Sequence, residues 1–224
     1  MLTIDVISDV ICPWCFIGKR RLEKALAGRP ATVRWHPFQL NPDMPREGID
    51  RKSYRIAKFG SWERSQELDA QVSAAGRGEG IAFNFDRMAR TPNTLDPHRI
   101  IWLAGERGVQ DAVVEALFLA YFTDGRDLSD RATLAEIAAG CGLDRAEVDG
   151  VLAGDAGLDV VSAGEQQARR LGVSGVPFFV VNGRVALSGA QPPELFLQAF
   201  EQASETVGAG DECEVDPTTG KRGC

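Results

Sequence analysis

Cys12 and Cys15, separated by Pro13 and Trp14, are the residues whose type and spacing point most directly to chemistry. Two thiols this close at a helix start can form and break a small disulfide. A helix N-terminus carries partial positive charge and free N–H groups, which favour a thiolate. The thiolate is the attacking species in disulfide exchange. Cys12, the N-terminal and expectedly more exposed member, is the candidate nucleophile. Cys15 lies one turn further in and suits the resolving role. Pro13 and Trp14 restrict the loop and shape the surface that meets a partner. Zinc is the competing use of a close cysteine pair, and it needs two more ligands. The only histidines are His36 and His98, far apart in sequence, and no second close pair exists. No metal is expected, and a Cys–His hydrolase has still less support.

The elements that must position this pair can be read on either side of it. Leu2 to Ile7 alternates and is rich in β-branched residues, so a strand is predicted. Pro13 suits the first turn of a helix. Phe16, Ile17, Leu22, Ala25 and Leu26 continue it, and Gly28 ends it. Ala31 to Leu40 reads as a second strand, stopped by the loop signal Asn41-Pro42-Asp43-Met44-Pro45. The opening is therefore a βαβ unit. Helices are predicted over 50–59, 61–76, 95–107, 110–122, 130–140, 144–153 and 158–171. Residues 172–177 form a turn. Phe178–Val181 and Arg184–Leu187 read as two strands joined by Asn182-Gly183, a strong hairpin signal. Pro192-Pro193 opens a last helix, to about residue 206.

The fold class is therefore α/β, with a sheet-centred unit built from both ends of the chain. Residues 1–42 and 172–208 are expected to form this unit. A helical insertion spans 43–171, and a polar tail with cysteines spans 209–224. The 224 residues are 44% hydrophobic and 25% charged, enough apolar content for a core. A net charge of −7 leaves no basic surplus for nucleic acid. The N-terminus lacks a signal-peptide pattern, and no apolar run nears the ~20 residues of a membrane span. A cytoplasmic protein without membrane partners is expected. Five cysteines are odd in number and sparse for a secreted disulfide scaffold.

A second motif, Gly175-Val176-Pro177-Phe178-Phe179, places a proline before a buried strand, where it cannot donate to the ladder. With this motif, the stretch Asp9-Val10-Ile11-Cys12-Pro13-Trp14-Cys15-Phe16-Ile17-Gly18 resembles the DsbA-like family, and most of all its FrnE-like branch. Pro37-Phe38-Gln39-Leu40-Asn41-Pro42-Asp43, Asn93-Thr94-Leu95-Asp96-Pro97-His98-Arg99 and Gly172-Val173-Ser174 carry the same resemblance. It implies a thioredoxin-like fold with a large helical insertion. It also implies a cis bond at Pro177, lying against the cysteine motif. Val176 would then offer its backbone to a bound peptide as an added strand. Members oxidise, reduce or isomerise disulfides in protein or peptide substrates. No metal or organic cofactor is required, and glutathione or a thioredoxin-type reductant can recycle the pair. The chain is also similar to hydroxychromene-carboxylate isomerases and kappa-class glutathione transferases. Those typically carry a serine where Cys12 stands and act on bound glutathione. A third reading is a redox-inert, holdase-like module that binds peptides through Trp14.

The remaining candidates divide between functional and structural readings. Asp9 either tunes Cys12 and relays protons or is a loop carboxylate. His98 either lines a cleft between the helical insertion and the sheet unit or is a surface residue at a helix start. His36, Trp35, Trp62 and Trp102 are read as structural, and Cys141 as an inert, half-buried thiol. Cys213 and Cys224 either form a second redox pair that exchanges with Cys12–Cys15, or staple the tail, or stay as free thiols. Closing their loop would constrain the unfolded chain by roughly 3 kcal/mol.

Overall fold

A computed structural model describes residues 1–205. Cys213 and Cys224 lie outside the described residues.

The two ends of the chain meet in one four-stranded sheet. Its strands are β1 (Leu2–Ser8), β2 (Ala31–Pro37), β5 (Phe178–Val181) and β6 (Val185–Ser188), in the order β2-β1-β5-β6. β1 and β2 are parallel, and α1 (Pro13–Leu26) connects them. β5 runs antiparallel to β1, and β6 antiparallel to β5. This is the α/β arrangement expected of a thioredoxin-like fold. Strand alternation sorts the side chains between the two faces. Ile4 pairs with Val181 and Val6 with Phe179, and all four are fully buried in the main core. Ile7 points to the opposite face, where it joins Phe38, Ala168 and Val173.

β2 ends at Pro37, three residues short of the predicted Leu40. Phe38 N makes the last bond to β1, and the chain then leaves the ladder because carboxylates take the next two amides. Phe38 N donates to the Ser8 carbonyl (3.1 Å), Gln39 N to the Glu165 carboxylate (2.6 Å) and Leu40 N to the Asp9 carboxylate (2.7 Å). The hairpin also differs by one residue from the sequence reading. Val181 faces Val185 across the three-residue loop 182–184, so β6 starts one residue late. Asn182 and Gly183 both take positive φ, which Asn and Gly tolerate best. The Asn182 side chain also accepts from Thr3 N (2.9 Å).

Between the sheet halves lie α2 (Arg51–Phe59), α3 (Trp62–Arg77), α4 (Leu95–Glu106), α5 (Gln110–Phe118), α6 (Arg131–Gly140), α7 (Arg145–Ala153) and α8 (Leu158–Arg170). α9 (Pro193–Glu205) packs on α1. The predicted helix over 110–122 stops being α-helical at Phe118 and continues as a π-turn, Leu119–Thr123. A two-residue ribbon, β3 (Ile49–Asp50) with β4 (Arg90–Thr91), was not foreseen. Pieces this short carry no readable alternation.

The core is continuous from the sheet into the helices. Phe16, the residue after Cys15, makes the junction. Its ring stacks on Phe118 at 5.0 Å and meets Phe83 edge-on at 6.0 Å. Nearby Lys19 is buried, a costly place for a charge. Burial opposes its ammonium, but Glu23, Asp111 and Glu115 surround it and leave its pKa raised. α1 is thus fixed to α5 by an aromatic stack on one turn and an ion cluster on the next.

Candidate active site

β1 delivers Ser8 and Asp9 to the edge of the sheet, and the next residues turn into α1. Cys12 is the N-cap residue of that helix and Pro13 occupies its first turn. The turn is held by Cys12 N donating to the Asp9 carbonyl (3.0 Å) and Cys15 N to the Cys12 carbonyl (3.0 Å). No acidic side chain sits in the first turn of α1. The positive end of the helix dipole therefore faces Cys12 without a competing carboxylate there.

Both motif cysteines are free thiols. Their exposures are closer than expected, 5% for Cys12 and 1% for Cys15. Trp14 is 41% exposed and forms the outer surface of the motif, as anticipated. Burial pushes the Cys15 thiol well above the usual thiol range. The hydrogen bond that the Cys15 thiol donates to Cys12 and the negative field of Cys12 push it further, against the pull of Ser8 and the Asp9 backbone. Ser8 was not singled out in the sequence, because a serine closing a strand has no distinguishing pattern.

Residues 164 positions away complete the site. The Val176–Pro177 peptide bond is cis. The Cys12 thiol donates to the Val176 carbonyl at 3.5 Å. Among the described residues, the Val176 N–H has no hydrogen-bond partner. Pro177 is buried against α1 at Gly18, whose missing Cβ would stand 3.1 Å from the proline ring and 3.0 Å from Phe179. That close approach requires a glycine.

Beneath the motif lies a buried acid. Asp9 is fully buried and accepts from Leu40 N (2.7 Å) and, more weakly, from Ile11 N (3.4 Å). His98, in the first turn of α4, is only 4% exposed, which corrects the reading of a surface histidine. α4 packs against β2, so its fourth residue faces inward rather than outward. His98 Nε2 stands 3.7 Å from the Asp9 carboxylate and has no hydrogen-bond partner. It also lines a 310 Å³ cavity between β2, α4 and α8, so the cleft reading describes its position.

The other candidates lie elsewhere. His36 sits on β2 with Nε2 2.7 Å from the Asp5 carboxylate. Cys141 is half-buried, and its thiol meets the Ala112 carbonyl at 3.6 Å. Burial raises its pKa. Among the described residues, no three His, Cys, Asp or Glu side chains converge as a metal-binding group. None of the described helices is long and apolar enough to cross a membrane. The sequence reading missed a cavity of 340 Å³ beside Pro13 and Trp14. Its far wall comes from α2 and α3, which no local signal ties to the cysteine motif.

Residues 3–201 match the family of DSBA-like thioredoxin domains. The crystal structure of a probable DsbA oxidoreductase from Streptomyces coelicolor is 37% identical to this chain. It superposes with a TM-score of 0.86 over 97% of this chain and 95% of its own. A 2-hydroxychromene-2-carboxylate isomerase superposes with a TM-score of 0.70 at 16% identity, covering 93% of this chain and all (100%) of its own. The cytosolic disulfide reductase DsbM from Pseudomonas aeruginosa, solved with GSH, gives 0.60 at 20% identity over 92% and 97%. The last two similarities concern the fold.

Proposed function

Since the chain belongs to the DSBA-like thioredoxin family, we propose that it is a thiol–disulfide oxidoreductase that exchanges disulfides through Cys12 and Cys15. The observation that carries this reading is the meeting of two free thiols at the N-terminus of α1 with the Val176 carbonyl. In the reducing direction, the Cys12 thiolate attacks one sulfur of a substrate disulfide. The substrate S–S bond breaks, and the departing sulfur leaves as a thiolate that takes up a proton. The substrate remains joined to Cys12 as a mixed disulfide. Its backbone is held by the free N–H and the carbonyl of Val176, with Pro13, Trp14 and Pro177 forming the docking surface. Cys15 then loses its proton and attacks the Cys12 sulfur. The Cys12–Cys15 bond forms and the second substrate thiolate departs. Two electrons have passed to the substrate.

The environment of Cys15 times the second step. Two of the three influences that keep its proton on come from Cys12, by hydrogen bond and by charge. Both weaken once Cys12 is tied up in the mixed disulfide. Cys15 therefore becomes easier to ionise only when its attack is required. Asp9 and His98, 3.7 Å apart, are the groups to which we assign that proton. The pair is recycled by glutathione or a thioredoxin-type reductant in a cytoplasmic setting, and no metal or organic cofactor enters a step.

The fold shared with a chromene-carboxylate isomerase keeps a glutathione-dependent isomerase as the second reading. The presence of two thiols at the motif favours exchange chemistry over it, and over a holdase that binds through Trp14. Reduction of insulin disulfides by the reduced protein separates the three. Stoichiometric reduction that disappears in Cys12→Ser supports the proposal. Isomerisation of an aromatic substrate with added glutathione, undiminished in Cys12→Ser, would replace it with the second reading.

A further inference from the structure

The 340 Å³ cavity beside the motif falls in the size range of small-molecule sites. Ile11, Pro13 and Trp14 form one side of it, next to the nucleophile. Phe59, Phe85 and Phe122 give it an apolar, aromatic body. Its charged residues are unbalanced: Arg51, Arg55 and Lys58 face a single carboxylate, Asp69. Asp69 is shared, with one oxygen 2.7 Å from Arg51 and the other 2.6 Å from Arg55. Burial and then the neighbouring Arg51 charge press the Arg55 guanidinium down, against Asp69. A formal surplus of two positive charges therefore lines this cavity in a chain whose net charge is −7.

The donors continue around the wall. Lys58 Nζ donates to the Tyr54 hydroxyl (2.7 Å), which donates to Asn41 Oδ1 (2.6 Å). Asn41 Nδ2 is buried and has no partner. An apolar body, excess positive charge and an unused N–H donor together fit one class of ligand.

We propose that this cavity binds a small organic anion, a carboxylate on an aromatic or bulky apolar body, and presents low-molecular-weight disulfides of that kind to Cys12. The inference rests on the oxidoreductase reading above and names a substrate class for it. The two thiols of Cys12 and Cys15 plus RS–SR give the Cys12–Cys15 disulfide plus two RSH. The apolar group of R occupies the space among the phenylalanines. Its carboxylate lies against Lys58, Tyr54 and Asn41.

The test compares two aromatic disulfides, the dianionic dithiobis(nitrobenzoate) and the neutral dithiodipyridine. Rates with the reduced protein are each divided by the rate with dithiothreitol, which removes intrinsic reactivity. The expected result is a preference of roughly tenfold for the anionic disulfide, the scale of one charge-assisted contact. The preference shrinks at high ionic strength and falls about fivefold in Lys58→Gln, an exposed position that tolerates change. A second readout does not need turnover: calorimetry of naphthalene-2-carboxylate and its neutral amide on Cys12→Ser. Binding of the carboxylate and not the amide is expected. Equal normalised rates, both dependent on Cys12 and unaltered by Lys58→Gln, would overturn the inference and leave the oxidoreductase intact. Selective carboxylate binding with no Cys12-dependent turnover of either disulfide would support the site and overturn the redox reading. Absence of both would overturn both.

Discussion

At the scale of single residues, Cys15 connects mechanism to stability. Its native pKa lies above the usual thiol value of ~8.5 because burial and Cys12 disfavour its thiolate. Below that pH both folded and unfolded states hold the proton, and the site contributes its full stability. As pH rises through the thiol range, the unfolded chain gives up the proton while the folded chain keeps it. Stability must then fall. Denaturant titrations under reducing conditions should show wild type losing stability above about pH 9, by at most ~1.4 kcal/mol per pH unit. Cys15→Ala should lose less over the same range, and parallel curves would contradict the assignment. The same variant should halt exchange at the first step, so that a mass spectrum shows substrate bound to Cys12. Asp9→Asn keeps an acceptor for Leu40 N but cannot take a proton from Cys15. Stopped-flow measurement should find resolution slowed about tenfold at neutral pH and the initial attack much less affected. Slowing of both steps alike would reduce Asp9 to a loop anchor.

The cysteine motif was legible because its chemistry is local: two thiols two residues apart, followed by a proline that starts a helix. Asp9 was equally visible as a type, but its burial was not. Only the meeting of β1 with the 38–40 segment shows its carboxylate receiving Leu40 N. His98 was misplaced in one of its two readings for the same reason. A histidine in a first helical turn looks exposed until α4 is known to lie on β2.

At the scale of elements, α1 must be approached closely from two directions. Gly18 lets Pro177 and Phe179 come within reach of the motif helix. Gly18→Ala would place a methyl group about 3.0 Å from the Phe179 ring, which is fully buried and has little room to yield. A loss of about 1–3 kcal/mol in thermal or chemical denaturation is expected, the usual cost of overpacking. An unchanged midpoint would mean that the loop bearing Val176 shifts freely and that its contact with α1 is not fixed. The major helices and four sheet strands were readable from periodicity and turn residues, within a few residues at their ends. The departures have tertiary causes. β2 stops near Pro37 because the Gln39 and Leu40 amides find the carboxylates of Glu165 and Asp9. α5 gives way to a π-turn where Tyr121 and Phe122 are both buried.

At the scale of the whole molecule, the helices between β2 and β5 do more than fill the sequence gap. They supply Phe118 to the stack on Phe16, His98 to Asp9, and the basic wall facing Trp14. None of these meetings was readable from the sequence, since each joins segments with no shared local pattern. Arg99 holds part of this block together. It is buried and donates to the carbonyls of Ala156 (2.8 Å), Gly154 (2.6 Å) and Val151, and to Asp96 (2.7 Å). It therefore ties α4 to the chain that ends α7 and begins α8. Arg99→Ala would strand several buried carbonyls and one carboxylate, so a loss of about 3 kcal/mol or more is expected on denaturation. A loss under about 1 kcal/mol would show that water replaces the guanidinium readily.

On the proposed function, Cys12 and Cys15 form one reversible two-electron couple. A glutathione redox titration of the full chain, with mass-spectrometric assignment of every cysteine, tests it most directly. A single reversible Cys12–Cys15 transition that vanishes in Cys12→Ser is expected, whatever Cys141, Cys213 and Cys224 do. A pair that stays reduced, or stays oxidised, across the whole range of glutathione ratios would contradict it.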